Sequence, residues 1–209
     1  MTLTTLPLFP LTTMLFPDGL LPLQIFELRY LTMVKQCIAS GTEFGVIAQT
    51  VRADPKRAGD NKLPTEPMSQ ETFTKIGTFA TIITHSAPQP GLLRIDCVGG
   101  KRFTVARCEQ QKLGLWVAQV SPIAADQTIS VPDELADTVT ALRHVIATLT
   151  MQVNEASQIP IAQPYKFDDC WCELIPMQPE QRYRLLTLEN PLIRLELVQD
   201  LLEKGRFLR

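Results

Sequence analysis

Four prolines set into an apolar stretch constrain this chain more than any other feature. Residues 6–34 read LPLFPLTTMLFPDGLLPLQIFELRYLTMV, with Pro7, Pro10, Pro17 and Pro22 spaced through them. Each proline removes a backbone donor and fixes φ near about −65°, so no continuous helix can run here. Two short extended segments remain, Thr5 to Phe9 and Leu20 to Phe26. A turn at Pro17-Asp18-Gly19 joins them, with proline presetting the bend and glycine supplying positive φ. After Phe26 the period changes: Leu28, Leu31, Val34 and Ile38 recur at helical spacing, predicting a helix from Glu27 to Ser40 that Gly41 ends.

Downstream, EFGVIAQTV (43–51) predicts a half-buried strand with Phe44, Val46 and Ala48 on its inner side, and Gly45 marks a close backbone approach. Residues 52–72 turn proline-rich and polar, predicting a long exposed loop in which four basic and four acidic side chains balance. Residues 75–123 are β-rich: IGTFATIITH, LLRIDCVGG, KRFTVARCEQ and LGLWVAQV predict antiparallel strands, with Gly99-Gly100 supplying a bulge or sharp bend. The period becomes helical from Pro132 on, placing a boundary near residues 122–131. A long helix carries Leu135, Val139, Leu142, Ile146, Leu149 and Val153, and a short one begins at Asp168. A third runs from Pro179 to Leu188 with Tyr183 and Leu185 or Leu186 inward. The last is capped by Asn190-Pro191 and carries Leu192, Leu195, Val198, Leu201 and Leu202.

The opening motifs resemble the Lon protease N-terminal domain family. Three separated elements carry the resemblance in the right order: Phe9-Pro10, the FPDG turn at Phe16 to Gly19, and the FExRY run at Phe26 to Tyr30. GTFATI followed by GLLRIDCVGGKRFTV, with Arg102-Phe103, agrees with the same family, as do Leu174-Ile175-Pro176 and ENPLIRLELV. Asn190-Pro191 stands where the family has an acidic-proline pair, and both cap a helix. The resemblance implies an α+β fold, a PUA-like curled antiparallel β-barrel (1–123) followed by a C-terminal helical bundle (132–209). It also implies a module that holds unfolded or hydrophobic polypeptide segments, with a separate ATPase or protease as a further partner it leaves open.

Composition narrows the alternatives. Lys plus Arg is 20 and Asp plus Glu 22, for a net charge of −2, and neither half of the chain is strongly basic. RNA binding, which PUA-like barrels serve in other families, needs a basic footprint that this chain lacks. No Lys or Arg precedes Arg29, which argues against a secretory leader, and no run reaches the ~18 apolar residues of a membrane span, so a cytoplasmic setting without membrane contact is expected. The five cysteines (Cys37, Cys97, Cys108, Cys170, Cys172) are odd in number and are expected to be reduced. Cys170-Trp171-Cys172 lacks the spacing and second ligand pair of a zinc site.

Chemistry-bearing motifs are missing. Gly100-Lys101-Arg102 does not complete a phosphate loop, and GxSxG, HExxH and GxGxxG do not occur. His85 and His144 stand alone, so a small hydrolase has no nucleophile motif behind it. The chain is expected to be no enzyme and to need no cofactor or metal. Glu27 and Arg29 are expected to fix the strand-to-helix turn, because isolated buried charge is costly. The candidate protein-binding residues are Phe16 and Pro17, exposed at the turn, with Tyr30 at the rim and Phe26 inward. Strands carrying prolines favour sheet edges, where an extended peptide can add, and the segment 52–72 could fold over it.

Overall fold

The computed structural model describes residues 3–50, 72–126, 130, 132–141 and 177–204. Six strands are present among the described residues: β1 Thr4–Leu11, β2 Leu20–Ile25, β3 Phe44–Thr50, β4 Thr72–Gln89, β5 Leu92–Gln110 and β6 Trp116–Pro122. Helix α1 (Leu28–Ser40) lies between β2 and β3, while α2 (Pro179–Thr187) and α3 (Pro191–Lys204) close the chain. A 3-10 turn over Asp133–Leu135 leads into helical residues 136–141. The expected loop 52–72, apart from Thr72 in β4, lies outside the described residues. So do the expected continuation of the long helix beyond 141 with His144, the expected helix at Asp168, and Cys170 and Cys172.

The strand order is β2-β5-β4-β3-β1-β6, and β6 pairs again with β5, so five strands close into a barrel with β2 attached outside the ring. The expected barrel is antiparallel in every pairing but one: β1 and β3 run parallel, because the chain crosses through β2 and α1 between them. Both prolines of β1 fit this arrangement. Pro7 lies where β1 pairs with β6 and has no β3 partner, and Pro10 where it pairs with β3 and has no β6 partner. Each missing N–H can therefore face an open side.

Two of the expected strands, 92–100 and 101–110, are one strand bent in the middle. The first half of β5 pairs with β2 and β4, and the second with β6 and, through Arg102–Thr104, still with β4. The bend falls at Gly99-Gly100, with a register shift opposite between Thr78 and Ala80. Gly99 permits it by close approach, since a Cβ there would sit 2.0 Å from the carbonyl oxygen of Phe16.

β3 is buried on both faces rather than on one. Phe44 and Val46 pack under α1, Ala48 under the C-terminal helices, and Ile47 points into the barrel with Leu6, Leu8, Phe79, Phe103 and Val120. The third cluster joins Met14 and Phe16 to Leu135, Val139, Leu185, Leu186, Leu195, Val198 and Leu202, so barrel and helices share a core. α1 ends at Gly41 (φ 64°) as expected, but its inward stripe is Tyr30, Met33, Val34 and Cys37. Only Val34 belongs to the expected stripe. Leu28 is 72% exposed, and Leu31 and Ile38 are half-buried. Phe9 selects this rotation by stacking on Tyr30, with ring centroids 4.3 Å apart.

Candidate functional site

The turn at residues 16–19 is a tight one, closed by the Gly19 N–H donating to the Phe16 carbonyl at 3.1 Å. Positive φ falls on Asp18 (61°) and not on Gly19, where it was expected, because the third residue of the turn carries it and aspartate tolerates the left-handed region. Asp18 N–H donates to the Gly99 carbonyl (2.8 Å) and Gly99 N–H to the Gly19 carbonyl (2.9 Å), docking the turn on the bend of β5. Pro17 is half-buried beside a cleft of about 210 Å³ that Asp18, Lys101, Arg102 and Asp126 also line. Phe16 is fully buried, contrary to expectation. Although it adjoins a polar turn, its ring enters the core shared with α2 and α3, which no local pattern reveals.

Tyr30 is also buried, not at a rim, and Phe26, expected inward, is 72% exposed. Strand alternation explains Phe26: Ile25 takes the inward position at the end of β2, so the next side chain faces out. Phe26 and Leu28 thus stand together in water at the β2–α1 junction. Arg29 ties this junction to the β5–β6 turn. Its Nε donates to Glu27 (2.9 Å), its Nη1 to the Gly114 carbonyl (2.9 Å), and its guanidinium lies 4.6 Å over the Tyr30 ring. The expected fixing role of Glu27 and Arg29 is what the geometry shows.

Leu113 lies beside that anchor, 83% exposed, with φ 76°. A leucine in the left-handed region costs about 1–2 kcal/mol. Surrounding hydrogen bonds hold it there: Gln111 N–H to the Leu115 carbonyl (2.7 Å), Gly114 N–H to the Gln111 carbonyl (3.0 Å), and the Arg29 bond. Phe26 and Leu28 precede Arg29 closely and Leu113 precedes Gly114, so all three exposed apolar side chains belong to the two segments that the Arg29–Gly114 bond joins. The helical period assigned Leu28 to the core, Phe26 was expected inward, and nothing in the sequence marks Leu113.

A second feature missed at the sequence level is ionic. Arg102 and Arg194, 4% and 0% exposed, both pair with Asp126. Arg102 also donates to the carbonyls of Leu186 and Leu188, and Arg194 to those of Leu185 and Leu188. Two cations therefore meet one carboxylate and the C-terminal end of α2, where the helix dipole is negative.

The family model for the ATP-dependent protease La (LON) substrate-binding domain matches residues 5–204. The chain belongs to this family. Among solved structures it is similar to a Lon N-terminal domain protein from Xanthomonas campestris, with 27% identity, a TM-score of 0.70, and 94% of this chain and 98% of that one covered. It shares its fold with the N-terminal domain of Mycobacterium avium complex Lon protease at 16% identity and a TM-score of 0.58, covering 95% and 97% of the two chains. A search of curated proteins finds no match.

As a LON substrate-binding domain the chain is a substrate-recognition module. Burial pushes the Cys37 and Cys108 thiols up. It pushes Cys97 to about 12, the Asp96 and Cys37 charges adding to the effect. None is then a thiolate nucleophile at neutral pH. His85 lies exposed on β4, and no group of His, Cys, Asp or Glu among the described residues has metal-ligand geometry. No described helix is long and apolar enough to cross a membrane.

Proposed function

We propose that this domain captures extended apolar segments of unfolded polypeptide, and that Phe26, Leu28 and Leu113 make the contact. One observation carries the reading. Three large apolar side chains are 72%, 72% and 83% exposed on the two segments that the Arg29–Gly114 bond joins, and one is held there in a strained backbone conformation. Strain kept without any packing gain points to a functional contact, and large apolar anchors are what binding surfaces use. Pro17 and Tyr30 serve this surface indirectly, Tyr30 by supporting Arg29 from beneath and Pro17 by fixing the turn that leads into β2. The domain itself performs no catalysis. What it holds is passed to a separate ATPase or protease, and the buried free thiols suit a cytoplasmic setting.

The test is fluorescence anisotropy with a labelled, reduced and carboxymethylated reporter protein. The double variant Phe26→Ser, Leu28→Ser should bind at least about tenfold more weakly, since two exposed apolar anchors are lost, while its melting temperature stays close to wild type. Equal affinity in the variant would exclude this surface. Binding of a single-stranded RNA in preference to the reporter would favour the RNA reading instead.

A further inference from the structure

Beside the apolar set, β2 offers a different chemistry. It pairs with β5 on one side, and among the described residues no strand covers its other side. The Gly99-to-Gly19 hydrogen bond lies in register with the Leu20–Val98 and Leu21–Cys97 pairs. That single bond, from Gly99 N–H to the Gly19 carbonyl, brackets Leu20–Val98 as a non-hydrogen-bonded pair, and alternation along an antiparallel ladder then aims the main-chain groups of Leu21 and Leu23 at β5. Those of Leu20, Pro22 and Gln24 face outward. Pro22 obeys this parity, because it is exposed and occupies a position whose N–H would meet no ladder partner.

The outer edge of β4 beyond Ala80 is also uncovered by β3, but register shifts at Ile82/Thr84 and Ser86/Gln89, together with Pro88, blunt it. β2 runs from Leu20 to Ile25 without a shift and leads straight into Phe26 and Leu28. A regular edge whose end carries two exposed apolar side chains can bond a guest's main chain and seat its side chains at once.

Resting on the polypeptide-binding reading above, we infer that β2 is the docking edge: an extended, proline-free stretch of foreign polypeptide adds to it as a further strand, with an apolar side chain against Phe26 and Leu28. Main-chain bonds are blind to sequence, which suits a module accepting many substrates. A second copy of this chain fits worse. In the antiparallel register that pairs the outward-facing positions Leu20, Pro22 and Gln24 with those of a second copy, Pro22 falls opposite Pro22, where neither can donate and both rings crowd the gap.

The experiment uses the full chain and a short apolar peptide in three forms: unmodified, and with either alternate set of amides N-methylated. Strand addition predicts that one methylated form loses binding and the other keeps it, and that the amides of Leu20 and Gln24 become protected from hydrogen exchange in the complex. Pro22→Val should tighten binding and Gln24→Pro weaken it, each by about fivefold for one main-chain bond, with the melting temperature checked for both. Equal binding of the two methylated forms, or unchanged exchange at Leu20 and Gln24, overturns the edge. If the serine variants at Phe26 and Leu28 still weaken capture, the apolar surface survives that result. No binding of the unmodified peptide or of the unfolded reporter overturns both. A wild-type dimer in sedimentation that the peptide cannot dissociate makes a second copy the occupant and also overturns the inference.

Discussion

Arg102 and Arg194 donate to the same carbonyl oxygen, that of Leu188, at 2.6 and 2.5 Å. One arginine comes from a barrel strand and the other from the last helix, so this oxygen and the Asp126 carboxylate are where the two parts of the chain are locked together.

Asp126→Ala should therefore be far more damaging than its position in an irregular segment suggests. It leaves two guanidinium groups buried without their counter-charge, a change that costs about 3–5 kcal/mol. Urea unfolding should show a large fall in midpoint with the slope retained. Replacing the exposed pair Arg107–Glu109 should change almost nothing.

Gly99→Ala tests the bend of β5. The new methyl would sit 2.0 Å from the Phe16 carbonyl oxygen, whereas on Gly100 its nearest neighbour is the Glu43 carboxylate at 3.4 Å, the end of a flexible side chain. Backbone cannot yield as a side chain can. Gly99→Ala should lose about 3 kcal/mol or more by overpacking, and Gly100→Ala under about 1 kcal/mol. Thermal melts of the two variants side by side decide it.

Cys97 gives a pH signature. Burial raises its folded-state pKa from 9.0 to about 12, so the unfolded chain gives up the thiol proton first. Its contribution to stability is complete below pH 9 and is lost as pH rises from there towards 12. Over that window stability should fall by about 1.4 kcal/mol per pH unit from this group. The Cys97→Ala variant lacks that component, so the difference between the two unfolding curves, not either alone, is the measurement.

How far the sequence can be read depends on the range of the force involved. Prolines and glycines act locally, and so β2, the Gly41 cap of α1, the bend at Gly99-Gly100 and the Asn190 cap, whose side chain accepts the Leu192 N–H at 2.9 Å, were legible, whereas β1 runs on through Pro10 to Leu11, beyond its expected end at Phe9. The orientations of Phe16 and Phe26 were not. Phe16 adjoins a polar turn but is claimed by leucines from α2 and α3, while Phe26 is displaced by the alternation that buries Ile25. The stripe of α1 was misjudged because Tyr30, Met33 and Cys37 are less apolar than Leu28 and Leu31, yet they face Phe9 and Phe44. Arg194 did leave a trace: it stands four residues before Val198 and eight before Leu202, on the buried stripe of α3, where a charge requires a partner. The identity of that partner was not readable, since Asp126 is one acid in an irregular segment.

Leu113 separates stability from function most cleanly. Its side chain is 83% exposed and therefore contributes little to the core, while its φ of 76° charges the fold for a conformation that leucine resists. Glycine adopts that conformation freely, so Leu113→Gly relieves about 1 kcal/mol of strain, of which the greater freedom of glycine in the unfolded chain returns about 0.5–1 kcal/mol. The melting temperature should hold or rise slightly. Capture of the unfolded reporter should weaken, because one of three exposed apolar anchors is gone. Leu113→Asn provides the control, since asparagine also tolerates the left-handed region but brings less unfolded-state entropy. It should be the more stable of the two and equally poor at capture. If both variants lose stability, Leu113 is held in place by packing and its strain has no bearing on binding. If both keep full capture, the β5–β6 turn is not part of the surface, and the contact reduces to Phe26 and Leu28.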